Sequence, residues 1–505
     1  MSENLVSHNL GENIGLNYRI TPLLAQSNEG ACGVDFPEIG EFELRTGQKK
    51  RQEIGLPQLS EPQVIRHFTR LSTKNYSIDS GFYPLGSCTM KHNPRLNEKM
   101  ARLDGFANIH PLQDVSTIQG CLEVQFELQK WLGALTGLRG VALSPAAGAQ
   151  GELAGMLVIR AAHLQKGNQR KYVIIPDSAH GTNPATAAIC GYKIKVVKTN
   201  KNGVTDLEEL KKIVEEFGAD IAGIMLTNPN TCGKFEPNIK KIADLIHSVG
   251  AYFYCDGANF NAIVGKVRPA DLGVDVMHFN LHKTFSTPHG GGGPGSGPIA
   301  VCEELAEFLP APIITKKDGK FEFTIPKNSI GKIKGFHGQF GMSVRALTYI
   351  LSHGKNALKQ VAEDAVLSAN YVLAHLQDHY HVPFKGICMH ECLITDKKQK
   401  EKGVSTLDIA KALVEYGFHP MTVFFPLVVS GAMLIEPTET EGKKMVDEFI
   451  ANMIYIAKEI EEDRGGRFKS YPISTPTKRL DEVRAARIPI LTWDEFYKSD
   501  LASSK

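Results

Sequence analysis

Ala251-Tyr252-Phe253-Tyr254-Cys255-Asp256-Gly257-Ala258-Asn259 is the stretch on which the fold turns. An unbroken apolar run this short, ending on a carboxylate, predicts a strand buried on both faces. Just upstream, residues 221–226 predict another strand, and Ile239, Ile242, Ala243, Ile246 and Val249 recur at helical spacing. Downstream, residues 276–279 form a further apolar strand. The same alternation starts earlier, with strands at 172–175 and 194–197. There Thr205 and Glu208 predict a capping box, opening a helix that turns Leu207, Leu210, Val214 and Phe217 inward. Val124, Leu128, Trp131, Leu132 and Leu135 mark a helix that Gly137 ends. Alternating strands and helices mean βαβ units, hence an α/β fold whose mostly parallel sheet has helices on both faces. Ligands of such sheets bind beyond the carboxyl ends of the strands.

The chain has 505 residues, 42% of them hydrophobic, enough for two or three domains with a sizeable core. Its 57 Lys and Arg against 55 Asp and Glu give a formal charge of +2, so no large electrostatic footprint for nucleic acid or an anionic membrane is expected. The nine cysteines lack a disulfide framework and fit a reducing cytoplasm. Residues 1–10 lack the basic and apolar regions of a secretory signal. The apolar stretch 421–435 is interrupted by Pro426 and Gly431 and falls short of the roughly 20 residues of a spanning helix, which predicts buried core. Residues 1–85, rich in Gly, Pro, Asn and charge, predict an extended arm; 86–330 predict a large ligand-binding domain, and 331–505 a smaller α+β domain with a helix near 344–352.

Four motifs sit where strands should end. Residues 144–152, Ser-Pro-Ala-Ala-Gly-Ala-Gln-Gly-Glu, form a small-residue turn before a helix, able to cradle a phosphate on free N–H groups or merely to make a tight helix entry. Asp177-Ser178-Ala179-His180-Gly181-Thr182-Asn183 offers an imidazole that is either solvated or laid against an aromatic ring. Asp256 either caps the next helix or faces a cation, because an unpaired carboxylate in so apolar a place is costly. Asn280-Leu281-His282-Lys283-Thr284-Phe285, followed by glycines, places a lysine where desolvation can make it a Schiff-base amine. Together they point to a phosphate-bearing aromatic aldehyde, pyridoxal phosphate. Cys388-Met389-His390-Glu391-Cys392 lacks a second ligand pair at zinc-finger spacing, so no metal is expected.

With these residues in view, the chain resembles the second subunit of the split, two-subunit P-protein family of the glycine cleavage system. The resemblance runs from Tyr83-Pro84-Leu85-Gly86-Ser87-Cys88-Thr89-Met90-Lys91 through Ser178-Ala179-His180-Gly181-Thr182-Asn183-Pro184-Ala185 and His282-Lys283-Thr284-Phe285 to Thr475-Pro476. It implies a fold-type I pyridoxal-phosphate enzyme, a glycine dehydrogenase (aminomethyl-transferring, decarboxylating). Lys283 would carry the cofactor covalently, Asp256 would pair with the ring nitrogen, His180 would stack on one ring face and Ala258 would pack on the other. Ala149, Gln150 and His282 would hold the phosphate. The implied reaction releases carbon dioxide from glycine and passes the aminomethyl group to the lipoyl arm of the H-protein. The single-chain form is roughly twice as long, which implies a partner subunit 1 and an α2β2 heterotetramer. From the residues alone, another pyridoxal-phosphate decarboxylase or aminotransferase, or a non-catalytic scaffold subunit, stays open. The loop 86–94 is expected to be a lid or channel wall beside the site.

Overall fold

The computed structural model describes residues 20–35, 37, 55–290, 294–462, 465–493 and 495. Contacts divide the chain into two units, Met1–Ser80 with Ser470–Lys505, and Gly81–Lys469.

Of the expected N-terminal arm, residues 1–19, 36 and 38–54 lie outside the described residues. The described residues of the first unit include the helices Glu61–Ser72 and Glu482–Arg487, none of whose residues is buried. Ser60 opens the former by donating its N–H to Gln63 Oε1 at 2.9 Å, and Pro62 sits in the first turn. The texture of residues 1–85 gave no warning of this helix.

The second unit is built on a seven-stranded sheet: β1 (Gly140–Ala142), β2 (Tyr172–Pro176), β3 (Lys193–Val197), β4 (Ile221–Thr227), β5 (Tyr252–Asp256), β6 (Val276–His278) and β7 (Ile299–Val301). Their order is β1-β7-β6-β5-β4-β2-β3. Strands β3, β2, β4, β5 and β6 pair in parallel, and β7 runs antiparallel to both β6 and β1. Side chains alternate across each strand, so each face carries its own core. One face turns Ile174, Ile224, Leu226, Phe253, Cys255 and Met277 toward the helices Gln119–Thr136, Leu207–Phe217 and Ile239–Ser248. The other packs Val173, Ile175, Met225, Tyr252, Tyr254 and Val276 against the helices Gly148–Gln165 and Thr182–Ile189. The expected α/β layering is therefore present. Gly137 ends the first of these helices at φ 77°, a left-handed cap open to glycine at little cost.

Three expectations need correction. The helix Leu207–Phe217 is capped by Asp206, whose carboxylate accepts from the N–H groups of Glu208 and Glu209; Thr205 makes no capping box. The shorter Asp side chain one position on reaches two free N–H groups at once. The helix foreseen near 344–352 runs from Phe340 to Leu376, broken at Gly354. The stretch 421–435 is only partly core: Met421 and Ala432–Ile435 are buried, but Phe424, Leu427 and Val428 are exposed on a turn. That turn joins two short strands of an antiparallel sheet made by Cys392–Thr395, Ala432–Ile435 and Thr422–Val423.

Candidate active site

The strand ends converge on one cavity of about 140 Å³. Gly148, Ala149 and Glu152 line it from the first turns of the helix Gly148–Gln165, and His180 and Thr182 from the loop after β2. Thr227 closes β4, Asp256 closes β5 with Ala258 and Asn259 just beyond, and His278 closes β6 with Asn280 and Lys283 following. Ser87 completes the wall.

Lys283 stands in the single helical turn Leu281–Thr284 after β6, and its Nζ donates to Ser87 O at 2.8 Å. Asp256 is 3% exposed. Its Oδ1 accepts from Ala258 N–H at 2.9 Å and its Oδ2 from Asn183 Nδ2 at 3.0 Å, while His278 Nε2 lies 3.5 Å from Oδ1. Burial pushes this carboxyl up, but His278, the two hydrogen bonds and Lys283 outweigh it and hold Asp256 below the ordinary carboxylate range. Asp256 also caps the turn after β5. His180 Nδ1 lies 2.8 Å from Thr182 Oγ1 and 3.2 Å from Thr182 N. Burial lowers its basicity, which leaves a neutral imidazole at neutral pH.

Of the residues singled out from sequence, Lys283, Asp256, His180, Ala258 and Ala149 meet at the cavity, whereas Gln150 and His282 do not line it. The Gln150 amide is turned aside, with Oε1 accepting from Ala146 N–H at 2.7 Å and Nε2 donating to Ile333 O at 2.9 Å. His282 packs against His289 and accepts from Ser296 N–H at 3.4 Å, and burial drives its basicity down to about 3. Sequence reasoning passed over Glu152, Asn183, His278, Asn280 and Thr227. All but Glu152 lie at a strand end or the first turn after one, the rule that located the rest.

The loop carrying Ser87 is anchored. Gly86 N–H donates to Leu434 O at 3.3 Å, Ser87 N–H to Glu391 Oε2 at 2.8 Å, and Thr89 N–H and Oγ1 to Glu436 at 2.9 and 2.6 Å. Lys91 is buried against Glu439 at 2.5 Å. Ser87 and Thr89 both hold positive φ, 64° and 48°, a conformation costing about 1–3 kcal/mol each that surrounding contacts must impose. This makes the loop a wall of the cavity. Burial pushes the Cys88 thiol up to about 11, which suits an unreactive residue. His390, Glu391 and Glu436 form a buried cluster within 4.8 Å of one another, while Cys388 and Cys392 are buried thiols pushed up by desolvation.

The chemistry of the walls fits pyridoxal phosphate. Thr227 Oγ1 and Asn259 Oδ1 line the cavity buried and without a hydrogen-bond partner among the described residues. A Cβ at Gly148 would lie 2.6 Å from Asn280 Nδ2, so only glycine keeps this helix end open. The first N–H groups of that helix have no intrahelical acceptor and suit a phosphate.

Residues 43–323 match the family model described as glycine cleavage system P-protein, and residues 361–473 the model described as glycine dehydrogenase, C-terminal domain. The chain belongs to the glycine cleavage system P-protein family. A protein of Caulobacter vibrioides named probable glycine dehydrogenase (decarboxylating) subunit 2 is 55% identical over 93% of this chain and 91% of its own. A Listeria innocua protein of the same name is 52% identical over 93% and 97%. Among solved structures, a glycine decarboxylase (P-protein) in inhibitor-bound form superposes with a TM-score of 0.67 at 19% identity, over 90% of this chain and 95% of that one. A rice TDC with PLP and tryptamine gives a TM-score of 0.62 at 12% identity, over 85% and 93%. The fold is that of the fold-type I pyridoxal-phosphate enzymes. Among the described residues no helix is long and apolar enough to cross a membrane.

Proposed function

We propose that this P-protein family member decarboxylates glycine with pyridoxal phosphate, and passes the aminomethyl group to the lipoyl arm of an H-protein. The observation that carries this reading is the meeting of Lys283 Nζ, the buried Asp256 carboxylate and a glycine-opened helix N-terminus around one cavity. The relatives' names, decarboxylating subunit 2, supply the substrate and the implied partner subunit. A cytoplasmic α2β2 heterotetramer is the assembly we infer. Residues 86–330 would form the cofactor domain, 331–505 the smaller domain and 1–85 an arm.

Lys283 would anchor the cofactor, Asp256 would face its ring nitrogen, and His180 and Ala258 would take its two faces. Ala149, at the open helix end, would hold the phosphate; Gln150 and His282, which the sequence also suggested, do not line the cavity and take no part in this proposal. Bound there, pyridoxal phosphate supplies an acceptor for the electron pair left when carbon dioxide departs. Asp256 does its part by keeping a proton at the ring nitrogen, where an ion pair in a dry site stabilises developing charge without reorganising solvent. Lys283 would hold the cofactor through Nζ between turnovers and leave it free to receive the glycine amine. His180, neutral, presents a flat face without adding a cation. The Ser87 carbonyl accepts from Lys283 Nζ and so orients this side chain toward the cavity, whose wall Ser87 helps to form. In the balance of the reaction, the glycine methylene carbon finishes on one sulfur of a lipoyl disulfide, which is thereby reduced.

The test is glycine-dependent release of carbon dioxide by the chain with its partner subunit and a lipoylated carrier. We expect turnover of glycine alone among amino acids, abolished in Lys283→Ala. Turnover of larger amino acids instead would overturn the assignment.

A further inference from the structure

The cavity floor holds two buried carboxylates where the chemistry calls for one anion. Asp256 and Glu152 are each 3% exposed, and the one amide of Asn183 donates to both, at 3.0 Å to Asp256 Oδ2 and 2.9 Å to Glu152 Oε2. Two carboxylates sharing a donor in a dry site cannot both stay ionised, because each raises the other's affinity for a proton. Their neighbours decide which keeps the charge. Asp256 has His278 Nε2 at 3.5 Å, the Ala258 N–H at 2.9 Å and Lys283 across the cavity. Glu152 meets neutral donors: the Asn183 amide, the Thr186 hydroxyl at 3.4 Å and the Thr182 hydroxyl at 2.7 Å. Of the titratable groups around it, Asp256 repels its negative charge, the His278 ring favours it more weakly, and the buried Tyr254 hydroxyl offers no cation. Burial and Asp256 together push the Glu152 carboxyl up, while Asp256 is held down.

A proton on Glu152 has an acceptor ready in Thr182 Oγ1, 2.7 Å from Oε1. The Thr182 hydroxyl then turns its own hydrogen onto His180 Nδ1 at 2.8 Å, beside the Thr182 N–H that points at the same atom from 3.2 Å. Two donors on Nδ1 leave the ring proton on Nε2. An ionised Glu152 would pull the Thr182 hydrogen away and take this second donor from the imidazole.

We propose that Glu152 is a protonated carboxylic acid which acts as a positioning residue, fixing His180 as its Nε2–H tautomer through Thr182 and leaving Asp256 the sole anion beneath the cofactor ring. The assignment rests on the pyridoxal-phosphate reading of the site. Gln is the neutral isostere of a protonated Glu, able to donate to Thr182 Oγ1 and accept from Asn183 Nδ2, and so separates this role from that of an ionised acceptor.

The experiment is an infrared difference spectrum of the assembled protein, wild type minus Glu152→Gln, in H2O and D2O, with pyridoxal-phosphate affinity measured by absorbance titration of the cofactor-free forms. We expect a carboxylic-acid C=O band that shifts in D2O, a Glu152→Gln affinity within about threefold of wild type, and a loss of tenfold or more in Glu152→Leu. Absence of the band overturns the protonation. A tenfold loss in Glu152→Gln overturns the positioning role, since it marks a site built for an anion. The band is read without cofactor or glycine, so failure of the glycine assignment leaves this result standing, and failure of this result leaves glycine turnover untouched.

Discussion

One pair of buried carboxylates lines the cavity and a second holds the loop whose Ser87 forms part of its wall, and the two do different work. Glu152 and Asp256 share Asn183, with Lys283 and His278 near Asp256. Glu391 and Glu436 instead receive backbone N–H groups, from Ser87 and Thr89, and hold two non-glycine residues at positive φ. The first pair distributes charge beneath the cofactor site. The second shapes the backbone whose carbonyl receives Lys283. What distinguishes them is what they join: the first pair shares one side-chain donor, Asn183, so the charge must be divided between them, while the second pair takes the N–H groups of Ser87 and Thr89 and so fixes a loop.

The largest effect expected from this contrast is at Asp256. Asp256→Ala removes the anion and should lower kcat by about 10²–10⁴ with little change in KM, checked by steady-state kinetics of the assembled enzyme. A loss confined to KM would place Asp256 with the loop-shaping pair instead.

Next in size is Glu436→Ala, which strands the buried Thr89 N–H and hydroxyl and frees a strained loop. It should cost about 2–3 kcal/mol, read as a lower denaturation midpoint. An unchanged midpoint would show that the loop holds its shape unaided. Glu391→Gln should be milder, within about 1 kcal/mol, because burial and the neighbouring Glu436 push the Glu391 carboxyl up and a Gln amide oxygen can still accept from Ser87 N–H. A cost as large as that of Glu436→Ala would mean that both members of the pair are ionised.

An effect seen only as a pH dependence concerns Glu441, which accepts from Tyr83 N–H at 3.4 Å and is pushed up to about 7 by burial. A carboxyl raised in the folded state binds its proton more tightly there than in the unfolded chain. Its contribution is therefore full below the ordinary carboxylate range and is lost as pH rises through about 7. Glu441→Gln should flatten that decline between pH 5 and 8 in denaturation profiles, by about 1 kcal/mol or more. If the two profiles stay parallel, this carboxyl is not buried in solution.

Much of the centre of the molecule was legible in sequence. Buried strands such as 251–255 carry unbroken apolar runs, and the carboxyl-end rule then led to Asp256, His180 and Lys283. Periodicity could not show the partners those residues acquire. Glu152 follows a glycine on a helix of small residues, and nothing local reveals that Asn183 will join it to Asp256, 104 positions on (256 − 152). Gln150 failed to reach the cavity for a related reason: its amide finds Ile333 O, 183 residues away, a contact no local pattern encodes. The Ser60 cap, with Gln63 three positions on, carries a capping-box signature that the texture of residues 1–85 as a whole obscured. Residues 421–435 were misjudged because apolar composition does not tell a strand from the exposed turn between two strands.

The central claim, that Lys283 is the covalent anchor facing Asp256, is tested most directly by borohydride reduction of the cofactor-loaded assembly followed by peptide mass mapping. The account predicts one pyridoxyl adduct on this chain, on Lys283, retained in Asp256→Ala and absent in Lys283→Ala. Label spread over other lysines, or none on this chain, would contradict it.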